Sequence, residues 1–409
     1  MADGLTSVEA HLERILAAIE PLPDFPQPLM ETLGLAAAED VRSPIALPSF
    51  DNSGMDGYAV CQSDVAAATE DAPVHLPVVG EIGAGQAQLL AMSPGTAVKI
   101  MTGAPVPQGA DSVVPYEWTD RGVAQVRISR APEVGQHVRL AGEDVEEGDL
   151  LVEHGTVLGP RHLGLLASIG RAAIRSRPRP RVVILSTGSE LREPGTPLGH
   201  DSIYDGNSFL LAASARRAGA IAYRVGIVPD EPRAFLDALH DQLVRADIVV
   251  TSGGVSQGDF DVVKEALTPD GVWFGGVAMQ PGKPQGFGLV GDDRTPIFTL
   301  PGNPVSSYVS FETFVLPAIR KLMGKAPYSR PTVRARLTHT VQSPAGRRQF
   351  VRGEYARDGG GPYVAPVGGH GSHLIGDLAS SNALIVVPED VTSVAAGEHV
   401  QVLCLDDEF

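Results

Sequence analysis

Between residues 181 and 324 short β-branched runs alternate with helical stretches, and this alternation constrains the fold more than any other feature of the chain. Strand-like residues 182–185 lead into Ser186-Thr187-Gly188. A helix from Asn207 ends at Gly219, the residue type that readily takes the left-handed conformation closing a helix. Strand-like 220–227, a helix from Glu231, the buried-looking strand Asp247–Val250, a helix from Asp261, strands near Val272 and Phe298, and a last helix from Asn303 to Met323 follow. Such a chain builds a parallel, doubly wound α/β sheet, because parallel neighbours need a crossover and each right-handed crossover lays its helix on the sheet. Ligands of these sheets bind outside the carboxyl ends of the strands.

With 409 residues the chain exceeds what one hydrophobic core organises, so several domains are expected. The Arg/Pro-rich linker 175–180 sets the α/β domain, 179–327, apart from what precedes it. Residues 7–20 carry apolar positions at helical spacing (Val8, Leu12, Ile15, Leu16, Ile19). Four prolines between 21 and 28 end that helix, and a second short helix precedes an extended stretch at 41–50. From 51 to 139 short β-branched runs are punctuated by Gly and Pro, which reads as a small β domain. Residues 140–178 return the chain to the opening segment, so 1–50 and 140–178 form one elongated N-terminal domain and 51–139 is an insertion. Beyond Tyr328 strands at 332–337, 350–355, 383–387 and 400–405 predict a C-terminal β-barrel or small sandwich over 328–409.

Charge and cysteine content narrow the function. A formal net charge of −17, without a Lys/Arg stripe interleaved with aromatics, argues against nucleic acid. Two cysteines, Cys61 and Cys404, exclude a disulfide framework or a Cys-rich zinc site and suit a reducing cytoplasm. The first residues lack the basic start and apolar block of a secretion signal, and no apolar run approaches the ~20 residues that span a bilayer. A cytoplasmic protein without a membrane partner is expected.

Three strand ends of the α/β domain carry loops of small polar residues: 186–190 with Thr187 and Gly188, 251–256 with Ser252, Gly253, Gly254 and Ser256, and 300–306 with Pro301, Gly302, Asn303, Pro304 and Ser306. Glycine admits backbone N–H groups close to an anion, and hydroxyls add donors. One such loop is ordinary turn chemistry; three on one sheet edge point to a phosphate or another oxyanion. Neither a P-loop nor a dinucleotide fingerprint is present. Carboxylates lie beside the loops: Glu190, Asp205, Asp230, Asp259 and Asp261. Acids next to an anion site repel it unless a hard cation lies between, which is how Mg²⁺ is held. Each of these acids taken alone, Asp205 and Asp259 above all, is better explained as a helix cap or turn residue. Lys283 between two prolines, and Arg347 and Arg348 after a glycine turn, are cations that could offset substrate charge.

Six motifs in order resemble the molybdopterin molybdenumtransferases, the family of bacterial MoeA and the E domain of gephyrin: 50–59 around Asp56-Gly57-Tyr58, 101–104 around Thr102, 186–191, 252–256, 281–284 and 300–304. The resemblance spans essentially the whole chain. It implies an elongated homodimer with a molybdopterin-binding α/β domain, and insertion of molybdate into adenylylated molybdopterin with Mg²⁺-dependent release of AMP. By the same resemblance Asp56, Thr102 and Asp144 are contributed by the partner subunit, and Glu190, Asp230, Asp259 and Asp261 form the metal-proximal acidic set, with the choice between Asp259 and Asp261 open. Lys283, Pro301, Asn303, Pro304 and Ser306, with Arg347 and Ser372 of the last domain, resemble the substrate and molybdate pocket. A molybdopterin adenylyltransferase and molybdoenzymes are the implied functional neighbours. Two positions depart from the pattern: Gln280 stands where many relatives have Lys, and Ser189 where many have Asp. The rival readings are an adenylyltransferase, whose fold resembles 180–325 alone, and a molybdopterin-binding scaffold without turnover.

Overall fold

The computed structural model describes residues 4–85, 91–253, 255, 262–407 and 409. It divides into two compact units, Met1–Ala38 with His154–Pro160 and Ala173–Phe409, and Glu39–Glu153 with Arg161–Ala172.

The first unit is built on a six-stranded sheet of β1 (Arg181–Thr187), β2 (Ile221–Val228), β3 (Ile248–Ser252), β4 (Trp273–Gly276), β5 (Pro284–Val290) and β6 (Thr295–Leu300), in the order β2-β1-β3-β6-β5-β4. The pairs β1–β2, β1–β3 and β3–β6 are parallel, as the alternation predicts. Successive strand residues face opposite sides, and both sides are covered. Val182, Ile184, Ile248 and Val250 pack with Leu211 and Ala215 of α1 (Asn207–Arg217), whereas Val183, Leu185 and Val249 pack with Phe235 and Leu239 of α2 (Pro232–Leu243) and Val263 of α3 (Val262–Leu267). Each fully buried side chain of this size contributes about 1.5–3 kcal/mol, so the two-sided apolar pattern is what holds the sheet inside.

The far edge departs from the expected all-parallel sheet. β5 runs antiparallel to both β6 and β4, in a stretch that sequence reading treats as a turn around Lys283. Its glycines hide it: Gly has poor strand propensity, yet here packing demands it. A Cβ on Gly286 would lie 1.9 Å from the Thr299 hydroxyl, and one on Gly288 would lie 2.7 Å from Val272. The last helix is also not uniform. α4 (Pro304–Ser310) passes through a π-helical turn, Phe311–Val315, into α5 (Leu316–Leu322).

In the C-terminal part Arg348–Asp358, Gly361–Pro366, Thr332–Leu337, His399–Cys404 and Ala383–Val387 pair in that circular order, closing a five-stranded barrel. The strand Gly361–Pro366, bounded by glycines and prolines, is the one missing from the sequence reading. The short strand Met279–Gln280 pairs with Arg348–Gln349 and ties the Lys283 turn to the barrel.

The second unit contains a five-stranded sheet in the order Ser112–Pro115, Gly57–Val60, Ala97–Ile100, Val74–Ile82, Gln125–Ile128. Gly57 is obligatory in its centre, since a Cβ there would meet the Val114 carbonyl at 2.0 Å. Tyr58 beside it is fully buried and donates its hydroxyl to the Gly122 carbonyl at 2.8 Å. Among the described residues no helix is long and apolar enough to cross a membrane.

The N-terminal helix Val8–Ala18 is capped by Ser7, whose hydroxyl oxygen accepts from the Ala10 N–H, and it buries Val8, His11 and Ile15. His11 lies between Phe314 and Trp273 with ring centroids at 4.7 and 4.9 Å, and its Nδ1 has no partner among the described residues. Burial, aided by nearby Arg14, pushes its pKa down from 6.5 to about 4. The unfolded chain therefore binds more protons in that window. The stabilisation is complete above about pH 6.5 and is lost as pH falls toward 4, by roughly 3 kcal/mol. Urea midpoints of the parent and of His11→Phe, followed by tryptophan fluorescence from pH 7.5 to 4.5, should diverge steadily below pH 6.5, with the parent falling faster; parallel curves would remove His11 as the responsible group.

Candidate functional site

In the sheet order β2 and β3 lie on opposite sides of β1, so the chain reverses its direction of travel across the sheet between β1 and β3. In sheets of this kind ligands bind at the carboxyl ends of the strands at that switch point. Ser186 is in register with Ser252, and Ser252 with Leu300, so the loops after β1, β3 and β6 begin at one level. Their convergence depends on glycine. Gly253 has φ +94°, and a Cβ on it would sit 3.2 Å from the Thr187 carbonyl oxygen. A Cβ on Gly302 would in turn be 3.7 Å from the Gly253 Cα. Thr187, Gly188, Ser252, Gly253, Pro301, Gly302 and Asn303 are thereby brought together. Gly254 and Ser256 lie outside the described residues.

Polar side chains knit these loops to each other. The Asn207 amide, at the start of α1, donates to the Ser252 hydroxyl at 2.8 Å and to the Gly302 carbonyl at 2.6 Å. Asn303 stands at the N-cap of α4 without making a cap bond; its amide donates instead to the Ser372 hydroxyl of the C-terminal part at 2.9 Å. The Val305 N–H donates to the Ser372 carbonyl at 3.1 Å, placing Pro304 and buried Ser306 under the same contact. The loop bearing Ser372 is organised by Arg352, only 4% exposed, which donates to the carbonyls of Gly369, Gly371 and Leu374. Losing the guanidinium would remove the common donor that holds these three carbonyls together.

The acids divide by role. Asp230 follows β2, and its Oδ2 accepts from the Ser189 N–H at 2.8 Å. The Glu190 carboxylate folds over Gly188, close enough that a Cβ there would meet its Oε2 at 2.8 Å. Both acids are exposed, Glu190 in the loop after β1 and Asp230 in the loop after β2. Asp205 is buried and caps α1 through the Ser208 N–H at 3.0 Å, with Arg224 3.9 Å away, which makes it a structural acid. Among the described residues no group of three His, Cys, Asp or Glu side chains could hold a metal by itself. Two carboxylates that leave room for substrate oxygens are nonetheless the donor set Mg²⁺ uses, so Glu190 and Asp230 fit that ion. Asp259 and Asp261 lie outside the described residues.

Lys283 is carried by a turn that its neighbours hold firmly. Buried Gln285 donates to the Gly282 carbonyl at 2.7 Å and to the Ser310 hydroxyl at 2.6 Å, and Gly282 has φ +100°. The Lys283 side chain runs over Gly276 and lines a cleft of about 290 Å³ with Lys264, Phe274 and Val255. Among the described residues neither Lys283 nor Arg347 has a side-chain hydrogen bond or ion pair, whereas Arg348 is engaged by Glu9 and Glu389. Arg347 is thus the uncommitted member of its pair.

In the second unit the structure joins two of the three expected residues. Exposed Asp56 accepts from the Thr102 N–H at 2.7 Å and from its hydroxyl at 2.8 Å, and these bonds hold its carboxyl below the usual carboxylate range. Asp144 is exposed, and its N–H donates to the Leu47 carbonyl at 3.0 Å.

Asn207, Gln285 and Arg352 are absent from the sequence-derived site. Asn207 carried the one available signal, a polar residue at a helix start beyond a strand; the partners of the other two are distant in sequence and visible only after folding.

Comparison with known proteins finds matches along nearly the whole chain. Residues 6–170 match the MoeA N-terminal region (domain I and II), 183–321 a probable molybdopterin binding domain, and 334–405 the MoeA C-terminal region (domain IV). Molybdopterin molybdenumtransferase 2 of Mycobacterium tuberculosis strain H37Rv is 45% identical over 97% of this chain and 99% of its own length. Molybdopterin molybdenumtransferase of Haemophilus influenzae is 39% identical over 91% of this chain and 92% of its own. The crystal structure of the molybdopterin biosynthesis MoeA protein of Pyrococcus horikoshii superposes with a TM-score of 0.83 at 31% identity, covering 99% of this chain and 100% of that one. Three MoeA regions in chain order and full-length relatives at this identity mean that the chain belongs to the MoeA family of molybdopterin molybdenumtransferases.

Proposed function

We propose that this chain is a molybdopterin molybdenumtransferase that takes adenylylated molybdopterin and molybdate as substrates, inserts molybdenum into the pterin and releases AMP. The observation that carries the reading is the convergence of three glycine- and hydroxyl-bearing loops at the topological switch of the sheet, in a chain of this family. An α/β domain flanked by the MoeA N- and C-terminal regions favours it over an adenylyltransferase made of that domain alone.

In this reading Thr187, Gly188, Ser252, Gly253, Pro301, Gly302, Asn303, Pro304, Ser306 and Ser372, with Gly254 and Ser256, hold the phosphorylated pterin through N–H and hydroxyl donors. Glu190 and Asp230, with Asp259 or Asp261, hold Mg²⁺, which when bound neutralises negative charge on the phosphoanhydride. Asp230 keeps its second oxygen for this task, because Oδ2 is committed to the Ser189 N–H. Lys283 and Arg347 supply free positive charge for the molybdate oxyanion, a duty sharpened by Gln280, which offers a neutral amide nearby in the chain. Asp56, Thr102 and Asp144 reach the site from a second copy in a homodimer. The Thr102 bonds keep Asp56 ionised well into acid, so it can act only as an acceptor or a charge. The reading places the protein in the cytoplasm, receiving its substrate from a molybdopterin adenylyltransferase and supplying molybdoenzymes.

The direct test is AMP release from adenylylated molybdopterin by the purified protein with Mg²⁺ and without ATP. Release stimulated by molybdate is expected; tight pterin binding without release would favour a scaffold. Asp230→Asn preserves an acceptor for Ser189 while removing the charge, and should lower kcat by roughly 10²-fold or more with an unchanged melting temperature. Lys283→Ala should raise the molybdate concentration giving half-maximal rate by about tenfold, the loss expected for one charge-assisted contact. Unaltered kinetics in both variants would remove these assignments.

A further inference from the structure

We infer that Asn207 is a positioning residue that fixes the polarity of the Ser252 hydroxyl and thereby makes it a dedicated donor to substrate phosphate oxygen. The inference rests on the proposed pterin-binding function and adds a residue to it. A carbonyl can only accept, so the 2.6 Å contact with Gly302 identifies the Asn207 atom there as the amide nitrogen. That nitrogen has two hydrogens, and the second is directed to the Ser252 hydroxyl oxygen at 2.8 Å. Ser252 must therefore accept in this contact, and its own hydrogen remains to be donated. Among the described residues it has no other partner, although Ser252 is only 4% exposed.

A hydroxyl in this state discriminates by ligand chemistry. Its hydrogen is satisfied only by an acceptor such as an anionic phosphoryl oxygen, so an acceptor gains more there than a donor, which leaves that hydrogen unpaired. The same amide also clamps the loop after β3 to the loop after β6, so one side chain sets both the spacing of the crevice walls and the direction of its hydroxyl. The start of α1 does not depend on Asn207, because Asp205 caps it through the Ser208 N–H. Substitution at 207 should accordingly leave the helix formed.

The test is a double-substitution cycle read as the dissociation constant for adenylylated molybdopterin, with melting temperature as a parallel readout. Asn207→Ala and Ser252→Ala should each weaken binding by about tenfold or more, and together by little more than the larger single loss, because both remove one directed donor. Asn207→Asp should weaken it further. Its carboxylate repels the Gly302 carbonyl, draws the Ser252 hydrogen toward itself and adds negative charge beside the substrate. Parent-like binding by Asn207→Ala, or losses that multiply in the double variant, would overturn the inference while leaving the pterin reading intact. Failure of the unsubstituted chain to bind the pterin would overturn that reading and this inference with it.

Discussion

The architecture turns on one close approach: the backbones after β1, β3 and β6 meet at the crevice with no side chain between them. Gly253 lies against the Thr187 carbonyl, and Gly302 lies against Gly253. A β-carbon at 253 would be strained by the positive φ and crowded by backbone that cannot give way. The backbone N–H groups of the candidate site and the hydroxyls of Ser252 and Thr187 are brought together by that contact. The parallel register that brings Ser186, Ser252 and Leu300 level is its precondition.

A second layer of buried polar groups keeps the loops in place without touching the crevice. Arg352 gathers the carbonyls of the Ser372 loop, Gln285 holds the Lys283 turn to α4, and Asp205 caps α1. Arg352 and Gln285 spend their hydrogen bonds on backbone or neighbouring side chains, and that is why they can be buried at tolerable cost, whereas Asp205 keeps its buried Oδ2 without a hydrogen bond among the described residues, 3.9 Å from Arg224. Lys283 and Arg347 are the converse case. They lack partners among the described residues, so a chain with a formal net charge of −17 still holds uncommitted positive charge at the two positions that the proposed function assigns to molybdate. Local placement outweighs the average, since screening confines charge effects to about 8 Å.

Most of the scaffold was legible because the signals are local. The 182–185 and 248–250 runs, each apolar at every position, announced strands covered on both faces. The helix ends at Gly219 and the caps obeyed chemistry that depends on a few adjacent residues. The strands that escaped notice, Pro284–Val290 and Gly361–Pro366, are rich in the residues that break strands in isolation, and in the first of them only cross-strand neighbours such as Thr299 and Phe274 explain why Gly286 is needed. The antiparallel turn of the sheet edge was missed for the same reason.

The candidate site separates along the same line. The sequence by itself determined which loops lie at strand ends, that they are small and hydroxyl-bearing, that acids flank them, and, through its six motifs, the family. These are properties of residue order and spacing. Only the tertiary structure decided that Asp205 is a cap while Asp230 braces the Ser189 loop, that Arg348 is paired and Arg347 is not, and that Asn207 joins two loops separated by 95 residues from its own position to Gly302. Hydrogen bonds at 2.6–2.9 Å are set by the packing of whole elements, and no local pattern in the chain encodes which distant donor will meet which acceptor.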